Sequence, residues 1–130
     1  MYSILSRRAI PGVLSSGLLA FSLFALPALA HHGWAGNSDE EFELTGTVST
    51  GVSLAGPHAT MKVLSDGKLW DITLAPPART ERAGLKEGVI PVGAAVTIHG
   101  HRNRDPKRLE IKTERVTWNG RTFNVYPDRK

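Results

Sequence analysis

Two dipeptides, Asp66-Gly67 and Asn119-Gly120, constrain the fold of this chain more than any other feature of its sequence. Asp-Gly and Asn-Gly pairs accept the positive φ angles of a two-residue β-hairpin turn. Apolar and polar residues alternate on both sides of each pair, which is the period of a strand with one buried face. The sequence therefore predicts two antiparallel hairpins in a protein built mainly from strands.

The other strands follow from the same alternation. A first strand, with Gly46 at a bulge or bend, is expected to end near Leu54. The core-facing residues expected in the later strands are Trp70, Ile72, Leu74, Val96, Ile98, Leu109, Ile111, Val116, Trp118, Phe123 and Val125. In the strand that contains Leu109, Ile111, Val116 and Trp118, the apolar residues change from odd to even positions. This change predicts a β-bulge near Glu114.

Only one helix is predicted. Ala75-Pro76-Pro77 ends the third strand, and the segment from Ala78 to Lys86 is expected to form one or two helical turns before Gly88. Strands with a helix between the third and the fourth have the element order of an OB-type barrel. The predicted fold class is therefore all-β, a small OB-like antiparallel barrel of five or six strands with one short helix. An open antiparallel sandwich is the alternative.

The first thirty residues have the composition of an export signal. Arg7 and Arg8 are their only charges, and an apolar stretch from Gly17 to Leu26 follows. Ala28-Leu29-Ala30 is the small-x-small pattern of a cleavage site. A transmembrane segment is the alternative, but the apolar stretch is shorter than the about 20 residues that span a bilayer.

The predicted organisation is a signal peptide over residues 1–30, an N-terminal arm over residues 31–41 and a barrel domain over residues 42–130. The mature protein is expected in the periplasm or outside the cell, with no stable membrane anchor after cleavage. Ser6-Arg7-Arg8 also resembles a twin-arginine motif. The export route, Sec or twin-arginine, therefore stays open.

Charge and cysteine content exclude two classes of function. The signal holds two of the 16 basic residues, so the other 100 residues carry 14 basic against 12 acidic groups. A nearly neutral exported protein lacks the basic surface that nucleic-acid binding requires, so no nucleic-acid partner is expected. The chain has no cysteine, which excludes disulfides and thiolate metal ligands.

The histidines carry the functional prediction. Cleavage after Ala30 makes His31 the first residue, so that its α-amine and its imidazole can chelate a metal ion together. One more imidazole would complete a three-nitrogen histidine brace, and such ligands favour Cu(II). His58, held after Gly56-Pro57, is the favoured third ligand. The alternative is that His31 and His32 are a polar start to the chain.

His99 and His101 form an H-x-H pair on one face of a strand. Alternate residues of a strand lie roughly 6 to 7 Å apart, so both rings can reach one ion. Two solvent-facing side chains are the alternative. The predicted metal ligands are therefore His31, His58, His99 and His101, and the predicted cofactor is copper.

No arrangement of catalytic residues is apparent, so an enzyme is not predicted. Ser49, Ser53 and Ser65 lack a G-x-S-x-G setting, and no glycine-rich phosphate loop precedes a helix. The basic residues between Arg102 and Arg108 are expected to form a solvated turn, with attraction of an anionic partner as the alternative.

Several short motifs together resemble one known family. They are Ala30-His31-His32-Gly33-Trp34, Leu44-Thr45-Gly46-Thr47-Val48, Pro57-His58, Trp70, Leu85-Lys86-Glu87-Gly88, Val96-x-Ile98-x-Gly100-His101 and Gly120-Arg121-Thr122-Phe123. The chain resembles the small secreted bacterial proteins of the domain of unknown function 6152 family. The resemblance implies an OB-type barrel exported to the periplasm and implies no biochemical role. Members usually have Asn-Pro-His where this chain has Gly56-Pro57-His58.

Two hypotheses of different classes follow. The first is a periplasmic protein that binds a metal ion, copper above all, for sequestration or delivery. The second is a metal-free OB-type module that binds a small molecule or a periplasmic partner protein on its barrel face.

Overall fold

The structure is a computed structural model, and it describes Gly12 and residues 34–129. The chain divides into two units, Met1–Ala30 and His31–Lys130, and the description below concerns the second. The predicted signal peptide, except for Gly12, and His31 lie outside the described residues. Among the residues that the structure describes, no helix has the length and apolar character needed to span a membrane.

Six strands and one helix form the described part of the chain. They are β1 (Phe42–Ser53), β2 (Thr60–Ser65), β3 (Lys68–Thr73), α1 (Pro77–Arg82), β4 (Ala95–Arg102), β5 (Glu110–Trp118) and β6 (Arg121–Asn124). Both predicted hairpins are present, and their turn residues Asp66-Gly67 and Asn119-Gly120 all have positive φ. The helix is shorter than predicted because Gly84, at φ 91°, ends it near Arg82.

The strands close into a barrel. β1 pairs antiparallel with both β2 and β4, and β4 pairs antiparallel with β5. β3 completes the ring by pairing with β5 over residues 71–73 and 110–112. The closed five-stranded barrel, extended by β6, confirms the predicted OB-like fold and excludes the open sandwich. Its closing pair, β3 with β5, is the one parallel pair among the described strands.

The predicted bulge is present in β5. His99 pairs with Arg115, but the next residue of β4, Gly100, pairs with Thr113. Glu114 is therefore the extra residue, and the alternation of buried side chains shifts by one position there. Because of this shift, the apolar side chains on both sides of Glu114, such as Ile111 and Val116, face the barrel interior.

Two glycines permit close approach of neighbouring strands. A Cβ on Gly100 would overlap the carbonyl oxygen of Lys112 and lie 2.8 Å from the Cα of Thr113. A Cβ on Gly46 would overlap the carbonyl oxygen of Leu64. The expected bulge or bend at Gly46 is therefore a close contact with β2, and the register of β1 shifts only after Val48.

The barrel interior is apolar. Its largest fully buried hydrophobic side chains are Phe123, Met61, Ile72, Leu74, Leu85, Ile90, Ile98, Ile111, Val63, Val116 and Val125. Burying each one stabilises the fold by roughly 1.5–3 kcal/mol. Leu85 and Ile90, in the segment between α1 and β4, belong to the same core. The core therefore includes the helical connection as well as the strands.

Candidate functional site

The N-terminal arm is docked along the outer end of β4. The side-chain amide of Asn37 donates to the carbonyl oxygen of His101 at 2.9 Å, and Asn37 is buried. The backbone N–H of Ser38 donates to the carbonyl oxygen of Arg102 at 2.8 Å. These bonds hold residues 34–38 against the barrel wall and fix the position of Trp34.

Trp34 packs at the centre of a group of polar and aromatic residues that we call the arm cluster. Its ring meets those of His101 and Tyr126 edge-on, at centroid distances of 5.6 and 5.2 Å. The guanidinium of Arg129 lies 3.9 Å from the indole centroid, and the Nζ of Lys112 lies 5.2 Å from it. The arm cluster consists of Trp34, His101, Lys112, Glu114, Tyr126 and Arg129.

His101 is held at both ring nitrogens. Its Nδ1 lies 2.9 Å from the carbonyl oxygen of Ser38, and its Nε2 lies 2.8 Å from Oε1 of Glu114. Both partners are acceptors, so a ring that donates from both nitrogens satisfies them. The Nε of Arg129 donates to the same Glu114 oxygen at 3.0 Å. In this arrangement His101 has no free nitrogen lone pair for a metal ion.

His99, two residues earlier on β4, has different neighbours. Its Nδ1 lies 3.6 Å from a carboxylate oxygen of Glu43 and 3.8 Å from one of Glu41. Within residues 34–129, no group of three or more His, Asp or Glu side chains is arranged to hold a metal ion. The structure therefore does not bring His99 and His101 together with a third ligand in this part of the chain.

His58 lies in the loop between β1 and β2 and is partly buried. Burial lowers the pKa of its imidazole, and the positive charge of Lys112 lowers it further. A lowered pKa keeps the ring neutral at neutral pH, and a neutral ring has a nitrogen lone pair to offer. The ring of His58 can therefore offer a lone pair to a metal ion, while the positive charge of Lys112 opposes a cation beside it.

Lys112 connects His58 with the arm. Its side chain is on the outside of the barrel under Trp34, and the residue is only 6% exposed. Burial lowers the pKa of its amine, nearby Glu110 raises it, and nearby Arg129 lowers it. The same ammonium group thus lies beside the ring of Trp34 and lowers the pKa of His58.

Sequence reasoning missed the two buried charges, Lys112 and Glu114. The break in alternation indicated that Glu114 is unusual, but it did not indicate burial. No local signal identifies Lys112, because it occupies an outward position of β5 and lies under Trp34, which is more than 70 residues away in sequence.

The described part of the chain is a small OB-like β-barrel, and residues 34–38 cover part of its outer face. The chain belongs to DUF6152, a family of unknown function, whose model matches residues 20–112. No curated protein matches the sequence.

Among solved structures, the chain is similar to parts of a larger enzyme. Apo TiaS, a tRNAIle2 agmatidine synthetase, is 16% identical over 61% of this chain and 18% of its own, with a TM-score of 0.47. The ZRD-deleted mutant of TiaS in complex with agmatine is 13% identical over 70% of this chain and 28% of its own, with a TM-score of 0.51. The chain thus spans less than a third of these proteins, and the second likeness concerns the fold alone.

Proposed function

We propose that this protein is a periplasmic or secreted metal-binding protein that holds copper for sequestration or delivery to a partner protein. The ligands are the α-amine and imidazole of His31, exposed by cleavage after Ala30, and the imidazole of His58. The observation that carries the proposal is the position of Lys112, which lies under Trp34 and acts on His58. Trp34 and His58 are therefore both close to Lys112.

Chain length supports this ligand set. His31 precedes Trp34 by three residues, and three extended residues span at most about 11 Å. Trp34 itself is fixed by its contacts with His101, Tyr126 and Arg129. Because of this reach, the α-amine of His31 can lie no more than about 11 Å from Trp34, which contacts the lysine that lowers the pKa of His58.

The protonation of the ligands predicts how binding depends on pH. The lowered pKa of His58 reduces competition between proton and metal at that ring. The α-amine, with an ordinary pKa of about 7.7 to 8.0, must lose its proton to bind. Metal affinity should therefore rise with pH and level off above about pH 8. Three nitrogen ligands favour Cu(II) over the other first-row divalent ions.

A titration with Cu(II) tests the proposal. Protein that begins at His31 is compared with protein that carries one additional N-terminal glycine, and both are examined by electron paramagnetic resonance. We expect one tightly bound Cu(II) with a nitrogen-rich signal, and an affinity more than about tenfold weaker with the extra residue. Equal affinity of the two forms would exclude the α-amine as a ligand.

A pair of histidine variants separates His58 from the other rings. His58→Ala should weaken Cu(II) binding by more than about tenfold. His99→Ala is the matched control, because His99 is also half-buried but faces Glu41 and Glu43. Mass spectrometry of the exported protein establishes whether the chain begins at His31. A chain that starts elsewhere, or equal binding by both variants, would contradict the proposal.

A further inference from the structure

A groove separates the N-terminal arm from the loop between β4 and β5. It encloses about 500 Å³ and is lined by Glu40 and Glu41 on the arm side, Phe42 at the start of β1, and Arg102, Arg104 and Pro106 on the other side. We call it the Arg102 groove. Of the proposed copper ligands, His58 does not line it.

Arg102 is held in a fixed orientation in this groove. Its guanidinium lies 4.9 Å from the ring centroid of Trp70 and 5.8 Å from that of Phe42, and the two rings are 5.6 Å apart. Trp70 is buried, so packing restricts the orientation of its ring beneath Arg102. Stacking on an aromatic face leaves the guanidinium edge, with its N–H donors, directed away from the ring.

The donors of Arg102 are largely unused. One N–H, on Nη2, donates to the carbonyl oxygen of Pro106 at 3.3 Å. None of the ion pairs found within residues 34–129 involves Arg102, whereas its neighbour Arg104 pairs with Asp39 at 3.4 Å. A stacked guanidinium without an acidic partner is suited to receive an oxyanion through two parallel hydrogen bonds.

The charge of the lining defines which oxyanion fits. Two arginines face two glutamates across the groove, so the formal charge of its lining is zero. A lining without net charge gives a dianion such as a phosphate monoester no additional attraction, whereas the single positive charge of Arg102 is matched by a single negative charge. The ring of Phe42 offers a surface for an apolar group beside Arg102.

We propose that the Arg102 groove binds small organic monocarboxylates, with the carboxylate on Arg102 and the apolar body over Phe42. The carboxylate can be that of a free acid or that of a peptide C-terminus, because both present the same group to the guanidinium. Binding does not require the metal, so the site gives the protein a second ligand independent of copper.

Calorimetric titration of the metal-free protein, in the presence of a chelator, tests this site. Benzoate is compared with benzamide, and a short peptide that ends in phenylalanine is compared with its C-terminal amide. We expect the carboxylates to bind and the amides to bind at least about tenfold more weakly. Binding of benzoate identifies free acids as ligands, whereas binding of the peptide acid alone identifies chain ends. Equal binding of acid and amide, or no binding by either acid, would overturn the proposal.

Two arginine variants make the test specific. Arg102→Gln should weaken carboxylate binding at least about tenfold. Arg108→Gln is the matched control, since Arg108 is exposed on the loop that follows Arg102, pairs with Glu110 at 3.4 Å and does not line the groove. Arg102→Lys keeps the charge but loses the planar fork, so it should also bind weakly while remaining folded by circular dichroism. Full affinity in a folded Arg102→Lys protein would contradict the bidentate site.

Discussion

The barrel interior and the arm cluster are stabilised in opposite ways. The interior consists of apolar side chains, and burial of their surface stabilises it. The arm cluster, outside the same strands, buries the imidazole of His101, the ammonium of Lys112 and the carboxylate of Glu114. Buried charges contribute only if each one keeps its partners. We therefore expect substitutions that reduce packing to destabilise the interior. Removal of a single charged partner should be enough to destabilise the arm cluster.

The largest effect should come from a change at the contact between the two regions. Gly100→Ala would place a methyl group against the carbonyl oxygen of Lys112 and within 2.8 Å of the Cα of Thr113. Backbone atoms cannot move aside without separating β4 from β5, so the free energy of unfolding should fall by at least about 4 kcal/mol. Urea denaturation followed by circular dichroism measures this.

Gly51→Ala is the control for that experiment. Gly51 also lies in a strand, but its added Cβ would meet no atom within 4 Å. Its stability should change by less than about 1 kcal/mol. Equal losses in the two variants would show that loss of glycine flexibility, and not the contact with β5, determines the effect.

The next largest effect tests the arm cluster by itself. Glu114→Gln keeps the shape of a side chain that is 4% exposed but removes the charge that faces His101 and Arg129. The free energy of unfolding should fall by about 2–3 kcal/mol. Amide hydrogen exchange should also accelerate in residues 34–38, since Ser38 depends on His101 for its position.

Glu43→Gln provides the comparison. Its carboxylate also lies beside a histidine of β4, at 3.6 Å from His99, but its side chain is 63% exposed. A change of no more than about 0.5 kcal/mol is expected. If Glu114→Gln is equally mild, the arm cluster is not held together by its buried charges.

These two regions also differ in how far the sequence predicts them. The hairpins at Asp66-Gly67 and Asn119-Gly120, the inward faces of the strands and the bulge at Glu114 are local patterns, and each was predicted. The closing pair of β3 with β5 and the docking of Asn37 on His101 join residues about 40 to 64 positions apart. Contacts between such distant residues leave no periodic pattern in the sequence, so the burial of the arm cluster could not be predicted.

The histidines show the same limit. The H-x-H spacing of His99 and His101 correctly placed both rings on the outer face of β4. It could not show that Glu114 and Ser38 engage both nitrogens of His101, because the arm and the bulge determine those partners. Likewise, the setting of His58 depends on Lys112, which follows it by 54 residues in sequence.

A smaller effect is expected at a turn whose role the sequence predicts in full. Gly120 has a φ of 74°, and its added Cβ would meet open space. Gly120→Ala should therefore cost only the strain of a left-handed backbone, about 1 kcal/mol. Thermal unfolding measures this loss. A loss as large as that of Gly100→Ala would mean that the β5–β6 hairpin contributes to the barrel beyond its turn.

The smallest effect should come from the ion pair between Lys62 of β2 and Asp71 of β3. The two side chains are 45% and 63% exposed, so water screens their attraction. Asp71→Asn should change the free energy of unfolding by less than about 0.5 kcal/mol, and added salt should reduce that difference further. Denaturation of Asp71→Asn and of Glu114→Gln at low and high salt distinguishes the exposed ion pair from the buried carboxylate. A large, salt-sensitive loss at Asp71 would mean that charge pairing stabilises the outside of this barrel even without burial. A loss of stability at Glu114 alone would mean that a carboxylate on this surface contributes to stability only where the arm buries it.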